Sequence, residues 1–159
     1  YSKMLAELAA DTERNIQIAS DVATEAARNP GICLILSDRK AHCKNLQALL
    51  RYRFKLSSEL LTGDLDSAER KKVLERINQG RVNILIATGQ LIGEGFDCKD
   101  LTTLFLATPI KFSGRLLQYL GRVLRPAPGK KYARVFDYVD VKVDTLRKAA
   151  NARQRVYRK

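Results

Sequence analysis

The chain has little cysteine and histidine, with three cysteines and a single histidine among its 159 residues. Cys33, Cys43 and Cys98 form no C-x-x-C pair, and His42 next to Cys43 cannot supply the four ligands of a zinc site. The sequence therefore predicts neither a disulfide framework nor a metal centre. We interpret Cys33, inside the apolar run 32–36, as a small buried hydrophobe, and His42 as a helix-surface or structural residue.

Long hydrophobic runs are also absent. The longest uncharged apolar stretches, such as residues 82–87, fall far short of the roughly 20 residues that span a bilayer. The N-terminus runs directly into a helical repeat and shows no signal-peptide pattern. Together with a cysteine usage that fits a reducing compartment, these absences lead us to expect a cytoplasmic protein with no membrane partner.

The charge is distributed unevenly along the chain. Residues 1–110 hold 15 basic and 14 acidic side chains, whereas residues 111–159 hold 14 basic and 3 acidic ones. Such a one-sided field attracts a polyanion, and nucleic acid is the usual candidate. The alternatives are a solvated basic surface and a C-terminal helix whose acidic partner lies elsewhere.

Short apolar runs alternate with amphipathic segments, a pattern typical of a parallel sheet covered by helices on both faces. We expect an α/β, doubly wound fold in one domain, with a leading helix over 1–30, a core over 31–140 and a basic terminal helix over 141–159. Ser37 or Asp38 can cap the helix after the first strand, and Asp66 with Glu69 forms a capping-box pattern. The expected strands are residues 32–36, 56–61, 83–87, 103–107 and 132–139.

In such sheets ligands gather at the carboxyl ends of the strands. The loops that begin at Ser37, Thr62 and Thr88, and the loop near Thr108, should therefore lie along one edge.

Two stretches of the sequence fit phosphate chemistry, although an exposed basic helix face is the alternative for the first and a glycine-rich loop alone is weak evidence. In the helix predicted over 115–124, Gln118 and Arg122 lie four residues apart and Arg125 follows three residues later, so the three side chains share one face. Two guanidiniums and an amide suit a polyphosphate whose terminal group gains charge as it leaves. The second stretch, residues 87–97, follows a buried strand, is rich in glycine and ends at Asp97, but no Lys-Ser/Thr pair follows it as in a P-loop.

As a set, these stretches resemble motifs V and VI of superfamily 2 helicases and translocases. The flanking segments agree, because residues 33–42 resemble motif IV and residues 61–64 with Arg70 resemble the element between motifs IV and V. The resemblance covers roughly residues 31–140. It implies a RecA-like fold, similar to P-loop NTPases, and the second RecA-like domain of a two-domain motor.

The resemblance also implies roles for individual residues. Arg125 corresponds to the arginine finger that reaches the γ-phosphate, with Arg122 and Gln118 beside the nucleotide. Gly95 and Asp97 correspond to nucleotide-binding positions, with Asp97 on the ribose. The residues that it places on the nucleic-acid backbone are Thr62, Gly63, Thr88, Ser37 and Arg39.

The chain departs from the RNA-directed branch of the family at two places. DEAD-box RNA helicases usually begin motif VI with His-Arg, where this chain has Gln118-Tyr119, and carry a glutamine where it has Ser67. These differences favour the DNA-directed relatives, such as the translocating subunits of restriction enzymes and repair or phage helicases. We therefore expect DNA rather than RNA as the partner.

The sequence lacks the motifs that would bind the β- and γ-phosphates with magnesium. There is no G-x-x-x-x-G-K-[ST] sequence and no Asp-Glu-x-His or Asp-Glu-x-Asp box. We therefore expect ATP and Mg²⁺ to be held mainly by an N-terminal RecA-like domain, and this chain alone to be inactive as an ATPase.

Two other functions remain as alternatives. A stand-alone, non-enzymatic nucleic-acid-binding module would use only the basic C-terminal third, through residues such as Lys142, Arg147, Arg153 and Arg155. A dinucleotide-binding enzyme would need G-x-G-x-x-G after the first strand, where residues 37–40 read Ser-Asp-Arg-Lys.

Overall fold

The computed structural model describes residues 2–28, 31–89, 98, 100–109, 113–123 and 133–138. Within these ranges the chain alternates between helices and strands. The strands are β1 (Ile32–Leu36), β2 (Glu59–Leu61), β3 (Ile84–Ala87), β4 (Leu101–Leu106) and β5 (Arg134–Asp137). The helices are α1 (Ser2–Ala9), α2 (Thr12–Arg28), α3 (Lys40–Tyr52), α4 (Ser67–Asn78) and α5 (Ser113–Val123).

The five strands form one sheet in the order β2-β3-β1-β4-β5, and all four neighbouring pairs are parallel. The predicted α/β fold with a parallel sheet is therefore confirmed. Every residue of the central strand β1 is buried, which explains why its sequence is continuously apolar rather than alternating. Strand β2 is shorter than expected: residues 56–58 lie outside it.

Helices cover both faces of the sheet and divide its core in two. Because successive side chains of a strand point to opposite faces, Cys33 and Ile35 of β1 belong to one half, and Leu34 and Leu36 belong to the other. The first half packs against α2 and α3, and the second against α4 and α5. No helix among the described residues is long and apolar enough to cross a bilayer.

The prediction of a single leading helix over residues 1–30 is wrong, because the described part of this stretch contains two helices, α1 and α2. Asp11 interrupts the repeat: its Oδ1 atom accepts a hydrogen bond from the backbone N–H of Arg14 at 3.1 Å. Aspartate that caps a helix in this way favours a new start over continuation. The carbonyl of Ala9 accepts instead from the side-chain amide of Asn15, at 2.9 Å.

Buried and bidentate ion pairs tie the helices to the outer strands. On α2, the carboxylate of Glu25 is 2% exposed and accepts from Thr103 Oγ1 at 3.2 Å and from Arg134 Nη1 at 2.8 Å. On α4, Arg76 donates through Nε and Nη2 to both oxygens of Glu59, at 2.6 and 2.9 Å. The first pair joins α2 to β4 and β5, and the second joins α4 to the edge strand β2.

The predicted start of α4 is confirmed. Asp66 has an extended backbone, and its Oδ1 atom accepts from the backbone N–H of Glu69 at 2.8 Å. This bond satisfies one of the N–H groups that the first turn of a helix leaves without a partner.

We expect the Asp66→Ala variant to lower the free energy of unfolding by about 1 kcal/mol, since the cap is lost. Asp66→Asn is the matched control, because the amide oxygen still accepts the hydrogen bond. It should lower the free energy of unfolding by only a few tenths of a kcal/mol. Urea denaturation of the three proteins measures the difference. Equal losses in both variants would show that the cap does not stabilise α4.

Candidate nucleic-acid and nucleotide site

Four hydroxyl-bearing residues lie along the carboxyl edge of the sheet. Leu61 pairs with Ala87, and Ala87 pairs with Leu36, so the next residues in β2, β3 and β1 (Thr62, Thr88 and Ser37) follow at one level. Thr108 completes the row after β4, where its Oγ1 atom accepts from the backbone N–H of Asp38 at 3.1 Å. The prediction that these loops share one edge is confirmed.

The residues expected to hold a nucleic-acid backbone are largely packed into this edge. Thr62 and Thr88 are each 7% exposed, whereas Gly63 between strand and helix is exposed. The hydroxyl of Thr62 accepts from the backbone N–H of Asp64 at 3.4 Å, which bends the chain directly after β2. Asp64 in turn accepts from Lys40 Nζ at 2.6 Å, so the β2 loop contacts the start of α3.

Ser37 lies deeper than a surface contact. It is 1% exposed, and its hydroxyl oxygen is 2.9 Å from His42 Nδ1 and accepts from the backbone N–H of Arg39 at 3.2 Å. The prediction that Ser37 or Asp38 caps α3 is wrong: Arg39 occupies the cap position, and its side chain makes no capping bond. The Ser37 hydroxyl is instead engaged by His42.

A buried chain of hydrogen bonds connects this loop to the N-terminal helices. His42 is 1% exposed, and its Nε2 atom lies 2.7 Å from Asn15 Oδ1. Because the amide nitrogen of Asn15 donates to Ala9, its oxygen must accept from His42 Nε2–H. His42 Nδ1 is then the acceptor for the Ser37 hydroxyl, so every link has one donor and one acceptor.

This arrangement requires a neutral imidazole. Burial, followed by the nearby positive charge of Arg14, lowers the pKa of His42 from 6.5 to about 4. A protonated ring would lose Nδ1 as an acceptor and would place a charge in the core. The structural interpretation of His42 is therefore confirmed.

His42 should reduce stability below neutral pH. The unfolded chain binds a proton near pH 6.5 but the folded one only near pH 4, so the free energy of unfolding falls across this window by about 3 kcal/mol. The control is His42→Asn, which has no ring to titrate. Urea denaturation measures the free energy of unfolding of both proteins. The wild type should exceed His42→Asn by about 3 kcal/mol less at pH 4 than at pH 6.5.

Since His42 is the only histidine, NMR provides a second measurement. Its single imidazole signal should titrate with a midpoint near pH 4. A midpoint near pH 6.5 would contradict the hydrogen-bonded, buried ring.

A second set of contacts joins α2 to the same edge, and sequence reasoning missed it. Arg14 donates to the carbonyl of Ala107, directly after β4, at 2.6 Å. Its guanidinium also lies 5.7 Å from the centre of the Tyr138 ring, and the Tyr138 hydroxyl donates to Asp21 at 2.9 Å. Burial and the bond to Asp21 raise the pKa of Tyr138 well above its ordinary value, so the hydroxyl keeps its proton.

The predicted nucleotide-binding residues are described only in part. Helix α5 buries Leu116, Leu120 and Val123, and Gln118 lies on its exposed side. The backbone of Arg122 lies in α5. Gly95, Asp97, Arg125 and the terminal segment 141–159 lie outside the described residues. Among those described, no three His, Cys, Asp or Glu side chains come together in a way that could hold a metal ion.

Comparison with protein families identifies the domain. The model of the helicase conserved C-terminal domain matches residues 11–127, which is most of the chain and includes the whole edge described above. The chain belongs to this family. It is a superfamily 2 helicase C-terminal domain with a RecA-like fold.

Relatives of this helicase C-terminal domain are much longer proteins. The chain is 26% identical over 106 residues to IRC3 of Saccharomyces cerevisiae, which is named for ATP-dependent helicase activity; the match covers 67% of this chain and 15% of IRC3. It is 31% identical over 98 residues to a protein of Methanocaldococcus jannaschii named as the endonuclease subunit of the type I restriction enzyme MjaVIIP, covering 62% of this chain and 9% of that one.

The solved structure of UvsW from T4 has a similar fold. It superposes with a TM-score of 0.75 at 22% sequence identity, over 99% of this chain and 34% of UvsW. The likeness supports the RecA-like architecture of the helicase C-terminal domain.

Proposed function

We propose that this domain is the second motor domain of an ATP-dependent helicase or translocase that acts on nucleic acid. The observation that carries the proposal is the position of Thr62 and Thr88 at the ends of neighbouring parallel strands, beside the exposed Gly63. Hydroxyl and backbone N–H groups at such an edge suit phosphate oxygens, and these contacts carry no sequence information. A motor that moves along a strand needs contacts of this kind.

DNA is the proposed substrate rather than RNA. Gln118-Tyr119 and Ser67 depart from the DEAD-box pattern, and one relative is named as a subunit of a type I restriction enzyme. Arg39, half-buried at the start of α3, would add a positive charge to the backbone contacts. Ser37 would reach a phosphate only if its hydroxyl left His42, so its proposed role depends on a movement of this loop.

The nucleotide would bind between this domain and an N-terminal RecA-like domain. ATP with Mg²⁺ would supply the driving force through phosphoryl transfer. On this side of the cleft, Arg125 and Arg122 would neutralise charge on the phosphates, and Gly95 and Asp97 would hold the ribose end. Gln118 fits such a role, because its amide is exposed on α5 and can both donate and accept.

Closing and opening of the cleft would then shift the backbone contacts of Thr62 and Thr88 relative to those of the other domain. When the arginines engage the phosphates, the two domains approach, and when they release them, the domains separate, as in other hinge-closure cycles. Because Thr62 and Thr88 end strands of one continuous sheet, both contacts would move together with α5.

We expect Arg125→Ala in the full-length protein to lower kcat for ATP by about a thousandfold or more, since an arginine finger stabilises transition-state charge to that degree. Arg81→Ala is the control, because Arg81 is exposed and precedes β3, away from the carboxyl edge. A coupled phosphate-release assay measures both. The 159-residue chain alone should release no phosphate, and steady release by it that survives Arg125→Ala would contradict the proposal.

We expect Thr62→Val and Thr88→Val each to weaken nucleic-acid binding roughly tenfold, because each removes a hydroxyl proposed to bond a charged phosphate while keeping the side-chain shape. Thr62→Val also loses the internal bond from the backbone N–H of Asp64. Thr24→Val is the control, since its hydroxyl bonds only the carbonyl of Ser20 on the exposed side of α2. Fluorescence anisotropy with a labelled single strand measures the affinity.

The same assay separates the rival module. If that rival were correct, both threonine variants would bind normally, and binding would be lost on neutralising Lys142, Arg147, Arg153 and Arg155.

A further inference from the structure

The outward face of α3 carries a concentration of positive charge that the overall charge balance conceals. Residues 39–55 contain no Asp or Glu and six basic residues, although residues 1–110 as a whole are nearly neutral. The six basic residues are Arg39, Lys40, Lys44, Arg51, Arg53 and Lys55.

Three of these side chains form a stripe along the helix. Lys40, Lys44 and Arg51 are separated by four and seven residues, which places them on one face. All three are exposed, whereas Cys43, Leu46 and Leu50 on the opposite side of α3 are buried in the core. At 1.5 Å per residue the stripe is about 16 Å long, which is at most about five nucleotides of one strand at the roughly 3.4 Å spacing of a stacked duplex.

The stripe begins at the candidate nucleic-acid edge. Lys40 bonds Asp64 in the loop after β2, next to the exposed Gly63. A strand that lies on Thr62 and Gly63 would therefore meet Lys40 and Lys44 as it leaves the edge.

An exposed aromatic ring lies at the far end of the stripe. Tyr52 is 69% exposed, and the guanidinium of Arg51 lies 5.6 Å from the centre of its ring. A basic groove combined with an aromatic face is how proteins bind single strands without sequence preference, since phosphates contact the cations and a base stacks on the ring. An acidic protein partner would use the cations but would not require the ring.

We propose that Lys40, Lys44, Arg51 and Tyr52, here called the α3 surface, bind the continuation of the nucleic-acid strand beyond the carboxyl edge. The occupant is single-stranded nucleic acid, with its phosphates along the stripe and one base on Tyr52. This inference rests on the proposed function and extends it, because it lengthens the binding site by at most about five nucleotides.

The first experiment compares two double variants of the full-length protein with equal changes in charge. Lys44→Glu/Arg51→Glu reverses the middle and end of the stripe and spares the Lys40–Asp64 pair. Arg28→Glu/Arg81→Glu is the control, because both arginines are exposed and precede strands β1 and β3. Anisotropy is measured over a salt series with two labelled single strands, one about five nucleotides longer than the shortest strand that binds.

For the longer strand, the α3 variant should bind roughly tenfold more weakly, and the slope of log K against log salt should fall by about one to two, as expected for two lost phosphate contacts. The shorter strand should show a much smaller loss. The control variant should match the wild type with both strands, and urea denaturation should show that both variants remain folded.

The second experiment isolates the ring. Tyr52→Ala should weaken binding of the longer strand roughly tenfold, whereas Tyr52→Phe, which keeps the stacking face, should bind like the wild type.

The outcomes distinguish this inference from the proposed function. If the α3 variants bind both strands like the wild type while Thr62→Val and Thr88→Val lose affinity, the α3 surface is overturned and the motor assignment stands. Normal binding of Tyr52→Ala combined with a loss in the charge variant would overturn the stacking role and leave only phosphate contacts along the stripe. If the wild type binds neither strand, the proposed function itself fails.

Discussion

Burial of the central strand β1 on both faces is the constraint on which the rest of this structure depends. A strand that must pack against two helical layers has no polar face, and here parallel neighbours returned by crossover helices supply those layers. All carboxyl ends then meet at one edge, and the polar residues that the core excludes collect there. The row of hydroxyls from Thr62 to Thr108 is a direct result of that packing rather than a separate feature of the loops.

Hydrogen bonds from the N-terminal helices α1 and α2 fix the position of the carboxyl edge. Asn15 and His42 connect the end of α1 to the loop after β1, and Arg14 connects α2 to the residue after β4. These contacts are buried or partly buried, so each lost bond would leave a polar group without compensation. The segment before β1 therefore helps to position the edge, although it carries none of the residues to which nucleic-acid or nucleotide binding is assigned.

Much of this could be predicted from the sequence. The fold class and the position of the loops at one edge were predicted correctly. They depend on local periodicity and spacing: the apolar runs of the strands, the capping pattern at Asp66 and the order of the motifs. The buried hydrogen-bond chain that engages Ser37 could not be predicted, because the sequence does not show that His42 and Asn15, 27 residues apart, meet in the core. The same limit applies to Asp11, where a capping residue inside a helical repeat competes with continuation, and only tertiary packing decides between them.

The bidentate pair between Arg76 and Glu59 has a consequence for assembly. Strand β2 is the outer strand on its side of the sheet, and an uncovered outer strand exposes backbone groups that can recruit a strand from another molecule. Here β2 is only three residues long and begins with a charged residue that α4 holds against it. That side of the sheet therefore offers a poor template for pairing with a strand of another molecule.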